Sequence, residues 1–342
     1  MRRAGGLWDR VVSFGNIRRA ALRAARGKRH VASVARFLAD LEPEALRLQR
    51  ELVDGSWRPG PAFSFEIHDP KLRTITAAPF ADRVVHHALM AVLEPLFDRR
   101  MPPESYACRR GKGTHAALAQ ARRLVRSHAW FLKLDVRKCF ESLDHGVVLA
   151  TVARAVKDRH VLALCARIVE GGGRAGIGLP IGNLTSQWFA NLVLDRLDRF
   201  VKQDLRVRGY VRYMDDFALF ADDKAVLRRA HDDVRSFLAD AMRLELKPQA
   251  TILAPTREGL PFLGWRVHCG VVRIRPENLR RLRSRIRHRC REHRTGLIGD
   301  DELLASLRST CEHLRHGNTL SLRRRLFAGW AGFTPALARS PP

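Results

Sequence analysis

The sequence predicts an α+β fold, and three observations predict it. Strand-like alternation recurs in short stretches near residues 63–76, 130–136, 210–220 and 260–268, several of them arranged as hairpins, so the pairing is antiparallel. Around them run longer segments with apolar residues every three or four positions, the period of amphipathic helices. The chain has 342 residues, 46% of them hydrophobic, enough for two or three packed units with a real core.

The elements follow in order. Residues 1–36 carry ten basic residues and one acid, Asp9. Val11, Phe14, Ile17 and Leu22 form a helical stripe that continues through Val31, Val34, Phe37 and Leu41. Such a basic, acid-poor start also fits a mitochondrial transit peptide, but the unbroken periodicity argues that this helical arm belongs to the fold. Phe63, Phe65 and Ile67 alternate, Asp69-Pro70 turns, and Leu72–Thr76 returns, with Lys71 and Arg73 giving a basic tip and return strand. A helix from about Pro79 carries Val84, Ala88, Val92 and Leu96. After the basic glycine loop SYACRRGKGTH another helix starts at Thr114, expected to be capped by that Thr or its neighbours.

Trp130–Val136 (WFLKLDV) reads as a strand ending in an acid, and an apolar helical run leads from His145 to Val156. Residues 171–183 form a glycine-rich loop, followed by a helix with Trp188, Leu192 and Leu197. Two apolar strands then flank Asp215-Asp216. The next helix is expected to bury Val226, Ala230, Val234, Phe237, Ala241 and Leu244. GLPFLGWRVH is a strand pair, and the tail from Pro276 is helical and Arg-rich.

With 62 Lys+Arg against 35 Asp+Glu, the net charge is +27 and the isoelectric point near 11.3, which points to a polyanionic partner, either nucleic acid or an acidic membrane face. The basic residues are 53 Arg and 9 Lys. Arg grips phosphate bidentately, and GC-rich codon usage explains the choice of Arg but not the imbalance of sign. No run of 18 apolar residues exists, so no transmembrane helix is expected, and the first residues lack the apolar core of a secretory signal. Six scattered cysteines without a CxxC argue for a reducing, cytoplasmic setting. Cys290 with His293, and Cys311 with His313 and His316, read better as helix-face residues than as metal ligands.

Two features carry chemistry: Asp135 ends one strand, and Asp215 and Asp216 sit between two apolar strands. Adjacent carboxylates repel unless cations neutralise them. A third carboxylate nearby would complete an oxygen site for Mg2+, and two such ions about 3.5–4 Å apart stabilise the attacking and leaving oxygens of an in-line phosphoryl displacement. A surface turn would explain a lone Asp-Asp pair, but the apolar, aromatic flanks place this one at the end of buried strands.

YMDD at Tyr213–Asp216, with Asp135 upstream in KLDVRKCF, resembles the palm of a reverse transcriptase. APFADRVVHHAL (Ala78–Leu89) and SYACRRGKGTHAAL (Ser105–Leu118) resemble the fingers blocks of intron-type bacterial enzymes, and Leu260–Trp265 resembles the primer grip. With Lys71 and Arg73, which resemble the fingers residues that hold the incoming triphosphate, these make six blocks, and six in order are specific where one is weak. LPIGNLTSQ has Ile181-Gly182 and Ser186-Gln187 where most reverse transcriptases carry Gln-Gly and Ser-Pro. That version, together with SFGNIRRAALRAARGKR and HGNTLSLRRRL, is similar to the reverse transcriptases of diversity-generating retroelements. No maturase or endonuclease extension is expected.

The resemblance implies a right hand: a basic helical arm (1–56), fingers (57–130), palm (131–268) with an antiparallel sheet, and a helical basic thumb (269–342). It implies two Mg2+ ions held by Asp135, Asp215, Asp216 and the Val136 carbonyl. Lys71 and Arg73 would hold the incoming triphosphate, with Ile181, Gly182 and Gln187 beside the nucleotide. Phe140 matches the steric gate that excludes a 2′-hydroxyl, and Phe262, Leu263, Gly264 and Trp265 match the primer grip. Ile181 cannot make the directional hydrogen bond of the usual Gln, a loss of about 1–3 kcal/mol in discrimination, which fits an enzyme prone to error opposite template adenine. The family often has a proton-donor Lys before Thr251; here Gln249-Ala250 stand there, and the nearest Lys is Lys247. The implied function is copying template RNA into adenine-mutagenised cDNA, with template RNA, the RNA–cDNA hybrid, dNTPs and a small basic oligomeric accessory protein as partners. A retron-like or phage-defence reverse transcriptase and a non-catalytic RNA-binding scaffold are the alternatives; the intact acids argue against the scaffold. The first 36 residues carry +9 and residues 271–342 carry 16 bases against 6 acids, suggesting two basic grips around the palm. Deleting residues 1–29 is then expected to weaken RNA or accessory-protein binding more than it perturbs the palm.

Overall fold

The computed structural model describes residues 3–68, 72–172 and 175–327. Four helices open the chain: α1 (Trp8–Val12), α2 (Phe14–Ala24), α3 (Ala32–Ala39) and α4 (Leu41–Val53). An exposed antiparallel hairpin follows, β1 (Phe63–His68) and β2 (Leu72–Ala77), then α5 (Phe80–Asp98) and α6 (Thr114–Ser127). Next come β3 (Trp130–Asp135), the short α7 (Cys139–Ser142), α8 (His145–Ala153), α9 (Arg159–Glu170) and α10 (Leu184–Arg199). The hairpin β4 (Gly209–Tyr213) and β5 (Asp216–Ala221) leads to α11 (Lys224–Met242) and β6 (Ile252–Pro255). The described residues end in β7 (Leu260–Phe262), β8 (Trp265–Val267), β9 (Val272–Ile274), α12 (Pro276–Arg294), α13 (Asp300–Arg315) and α14 (Leu320–Phe327).

Among the described residues the nine strands pair antiparallel, as the hairpin signals require. The central sheet has the order β4-β5-β3-β6, and β7-β8-β9 form a smaller sheet with one strand more than the expected pair. Alternation along the strands divides the molecule into two cores. Leu132, Leu134, Tyr210, Phe217 and Leu219 point to one face, into a core shared with α1–α5 and α8–α11. Phe131, Val211, Ala218 and Phe220 point to the other, into a core shared with α6, β7–β9 and α13. Lys133, Asp135 and Asp216 belong by register to this second face, at its open end.

Local chemistry explains the helix starts. The Asp144 and Asp158 carboxylates accept the Val147 and Val161 N–H groups at 2.9 and 3.3 Å and cap α8 and α9. Asp158 also accepts the Leu7 and Trp8 N–H groups at 2.8 and 3.1 Å, which ties the amino-terminal segment to α9. At α6 the cap position falls to Gly113, the neighbour of Thr114, with its N–H bonded to the Tyr106 carbonyl, and no side chain caps the helix. α8 ends at Ala153, because Val156 leaves to bridge Ala4.

The buried face of α11 keeps the expected Ala230 and Val234, with Leu244 buried just beyond its end, but takes Leu227, Leu238 and Met242 in place of Val226, Phe237 and Ala241. This stripe lies on β3 and β5, while Val226, Phe237 and Ala241 form a half-buried edge on which Phe237 stacks against Phe200 at 4.1 Å. The amino-terminal helices pack into the fold, as their periodicity suggests. Val11, Ile17, Ala20 and Ala21 are buried in the main core, with α2 packed on α5. Among the described residues no helix is long and apolar enough to cross a membrane.

Candidate active site

The site is built on two strand ends. β3 ends at Asp135, whose register partner across the sheet is Asp216, the first residue of β5. Register partners on antiparallel strands project to the same face, so the sheet sets these two carboxyls side by side. Tyr213 pairs with Asp216, leaving Met214 and Asp215 as a two-residue hairpin turn. Met214 takes φ +54°, a conformation a glycine would adopt freely, so strain is concentrated beside the acids. The Val136 N–H donates to the Asp215 carbonyl at 3.1 Å and clamps the turn to the end of β3.

Burial and mutual charge perturb these acids. Burial pushes the Asp215 carboxyl up, Asp135 adds to that, and Arg73 and Lys133 oppose it. Burial raises Asp216 to about 6, against the pull of the Lys133 ammonium, whose Nζ is 2.9 Å from Oδ1. Two raised carboxyls at adjacent positions of the hairpin are a cluster that a cation would stabilise, and an all-oxygen donor set is what Mg2+ takes. The residues therefore fit the ion by chemistry. Their orientation is not that of a closed cage: among the described residues no three Asp, Glu, His or Cys side chains converge on one point, and Asp216 leans on Lys133.

The other predicted residues gather around this turn to differing degrees. Arg73, on β2, is near enough to act on the Asp215 charge; Lys71 lies outside the described residues. Phe140 is half-buried on α7, its carbonyl accepting the Leu179 N–H at 2.7 Å, which anchors the glycine-rich loop under β3. The Ile181 carbonyl accepts the Thr76 N–H at 3.0 Å, docking the loop on the hairpin. Gly182 has φ +120°, and a Cβ there would meet Ile75 Cγ2 at 3.1 Å and the Thr76 carbonyl at 3.4 Å, so both conformation and space call for glycine. Gln187 is exposed and accepts the Cys108 thiol at 3.6 Å. Lys247 donates its N–H to the Asp135 carbonyl at 2.8 Å.

At Phe262–Trp265 the tight turn has φ +48° at Leu263 and +86° at Gly264, and Asn278 Nδ2 donates to the Gly264 carbonyl at 2.9 Å. Phe262 and Trp265 are buried in the second core, so the Leu263–Gly264 tip is the part a strand could touch.

Sequence reasoning missed what lies beneath the turn. Arg212 and Asp198 are both fully buried, and Arg212 donates to Asp198 through Nε (2.6 Å) and Nη2 (2.5 Å). Tyr210 donates its hydroxyl to Asp198 at 2.8 Å, and Arg212 Nη1 also reaches Asn191 Oδ1 at 2.8 Å and the Met214 carbonyl at 3.2 Å. This network fastens the strained turn to α10. Its signal in the sequence is one Arg inside the apolar strand YVRYM; Lys133 is the same signal in WFLKLDV.

The profile of the family described as "Reverse transcriptase (RNA-dependent DNA polymerase)" matches residues 67–267, well over half of the chain. This protein belongs to the reverse transcriptase family. Among curated relatives, the chain is 25% identical over 172 residues to the group II intron-encoded protein LtrA of Lactococcus lactis, a match of 47% of this chain and 29% of LtrA. It is 23% identical over 275 residues to protein YkfC of Escherichia coli K12, covering 67% of this chain and 72% of that one. The matches span only 20–29% of the length of the first intron-encoded relatives. Telomerase from Candida tropicalis, solved with a TWJ fragment of telomeric RNA, superposes with a TM-score of 0.51 at 11% identity, over 82% of this chain and 58% of the other. The fold is thus the right-hand fold of this polymerase class, and the comparisons place YMDD and its sheet inside the family match.

Proposed function

We propose that this protein is an RNA-directed DNA polymerase working by in-line nucleotidyl transfer. The observation that carries the reading is the register pairing of Asp135 with Asp216, with Asp215 in the strained turn between the strands. Asp135, Asp215, Asp216 and the Val136 carbonyl would hold two Mg2+ ions, which when bound supply charge neutralisation at the attacking and leaving oxygens. Lys71 and Arg73 bind the triphosphate from the fingers side. The Phe140 ring shuts out a ribose 2′-hydroxyl, and Gly182 lets backbone approach the nascent pair. The Leu263–Gly264 tip bears on the primer, with the Arg-rich α12 behind it. Lys133 holds Asp216 and keeps its charge compensated until the site is filled. The primer 3′-hydroxyl gives up its proton to solvent, its oxygen forms the new bond to the α-phosphorus, and the α–β phosphoanhydride bond breaks so that pyrophosphate leaves.

The Ile181-Gly182 and Ser186-Gln187 pattern supports the narrower reading: a diversity-generating retroelement enzyme that makes adenine-mutagenised cDNA with a small basic accessory protein. Six free cysteines fit a cytoplasmic setting for it. Primer extension on an RNA template with Mg2+ tests the general reading. The wild type extends the primer and Asp215→Asn slows extension by about a thousandfold or more; equal rates would refute it. Sequencing cDNA from a known template tests the narrower one, with errors expected to concentrate opposite adenine.

A further inference from the structure

Where the ends of α5, α8 and α10 meet lies a cavity of about 320 Å3. Arg100 follows α5, Arg154 closes α8, and Asp195, Arg196 and Arg199 stand on the last two turns of α10, with Leu192 as an apolar part of the wall. The lining holds four arginines against one acid. None of the residues proposed for polymerase chemistry belongs to it. Asp195 lies on α10 well beyond Gln187, about 12 Å along a helix that rises about 1.5 Å per residue.

Two features of this wall call for a ligand. The first is a pair of like charges. Burial lowers the Arg196 guanidinium, the nearby Arg154 charge lowers it further, and among the described residues no carboxylate pairs with either. A helix C-terminus favours a cation, which accounts for each arginine singly but not for setting the two against each other. An anion between them removes the repulsion, and the guanidinium fork matches phosphate. The second feature is Asp195, which is only 8% exposed. Its Oδ2 accepts Arg199 Nε at 2.8 Å, while the buried Oδ1 has no hydrogen-bond partner. Arg199 is held at its other end, Nη2 donating to the Arg100 carbonyl. Burial pushes the Asp195 carboxyl up and Arg199 opposes that. A buried carboxylate oxygen without a donor is costly, and a carboxylate can only accept, so the missing partner is an N–H or O–H. A lone phosphate would leave most of the space unfilled; the volume falls at the lower end of the range for small-molecule pockets, about 300–1,000 Å3. A nucleotide carries both required groups on one body of this size.

We propose that this cavity is a second nucleotide-binding site, separate from that of the incoming nucleotide, in which Arg154 and Arg196 hold a phosphate group and Asp195 accepts an N–H of the base. Guanine suits it best, because its N1–H and its amino group stand side by side and meet a carboxylate together. Uracil suits it least, because its one N3–H is flanked by two carbonyls that a carboxylate repels. Free guanosine monophosphate and a guanosine within an RNA strand present the same groups. The site goes beyond the polymerase reading and does not depend on it, since its residues take no part in that chemistry.

The test is titration calorimetry of GMP, UMP and inorganic phosphate into the full chain, with EDTA present so that no divalent ion fills the acid site. GMP is expected to bind about tenfold or more tighter than UMP or phosphate. Arg154→Gln, at an exposed position, and Arg196→Gln should each weaken GMP by about tenfold or more, the loss of one charge-assisted contact, with thermal melts confirming that both variants fold. Asp195→Asn should narrow the preference for GMP over UMP. Asp215→Asn should bind GMP as the wild type does. GMP held no tighter than phosphate, unchanged affinity in both arginine variants, or loss of binding in Asp215→Asn each overturn the site. A second titration uses a guanosine-containing single-stranded RNA oligonucleotide, with and without saturating GMP. RNA affinity that GMP lowers in the wild type but not in Arg154→Gln assigns the site to a guanosine of an RNA strand. RNA affinity that GMP leaves unchanged assigns it to the free nucleotide.

Discussion

Asp135 and Asp216 meet because strand register leaves them no other place: a slip of one residue would turn Asp216 into the helix-packed core. Their position was legible in sequence as acids at the ends of apolar strands. The Asp198–Arg212 pair was not, since nothing in the spacing tells an Asp on α10 which strand residue it will meet. Breaking a buried pair strands a charge, so Asp198→Ala should cost about 3–5 kcal/mol in urea unfolding. A loss below about 1 kcal/mol would show the pair to be dispensable. Phe140→Ala should raise ribonucleotide incorporation relative to deoxynucleotide by about tenfold or more, measured in single-nucleotide extension; an unchanged ratio would return Phe140 to a packing role. Ile181→Gln should lower misincorporation opposite template adenine, scored by sequencing the cDNA. No change there would remove Ile181 from the account of fidelity.

At the scale of elements, capping and packing decide what periodicity leaves open. On α11 two adjacent stripes are both apolar: Ala230, Val234 and Leu244 are buried as their spacing predicts, and only the sheet beneath selects Leu227, Leu238 and Met242 over Val226, Phe237 and Ala241. Asp144 shows an element end with a pH signature. The Val147 N–H first, and the Arg243 guanidinium 2.7 Å from Oδ2, hold its carboxyl below the usual range. A lowered folded pKa stabilises the fold above the unfolded value of about 3.9 and loses that contribution as pH falls through the folded value. Urea midpoints between about pH 5 and pH 2 should therefore fall less steeply in Asp144→Asn than in the wild type. Equal slopes would show that the cap does not titrate with folding.

Across the whole molecule, the excess of +27 is organised rather than diffuse. α12 buries no residue and presents arginines along its length, as a strand-gripping helix would. Binding of a primer–template should therefore fall linearly in log K with log salt, with a slope reporting several phosphate contacts. A flat salt dependence would disconnect the charge from nucleic acid. The amino-terminal helices are part of the main core, so deleting residues 1–29 removes buried Val11, Ile17 and Ala21 and should unfold the palm along with any RNA contact. Reversing exposed Arg18, Arg19 and Arg26 instead probes the basic face without opening the core.

The sequence by itself determined the class of fold, the antiparallel hairpins, the acids at the strand ends and the basic excess. These are written in local periodicity, turn chemistry and composition, each readable within a few residues. The tertiary structure decided that Lys133 leans on Asp216, that Arg212 and Asp198 brace the strained turn, that Phe262 and Trp265 face inward, and that Arg100, Arg154, Asp195 and Arg196 line one cavity. Those outcomes join residues distant in the chain, and which distant groups share a buried space is settled by how whole elements pack, not by any pattern along the chain.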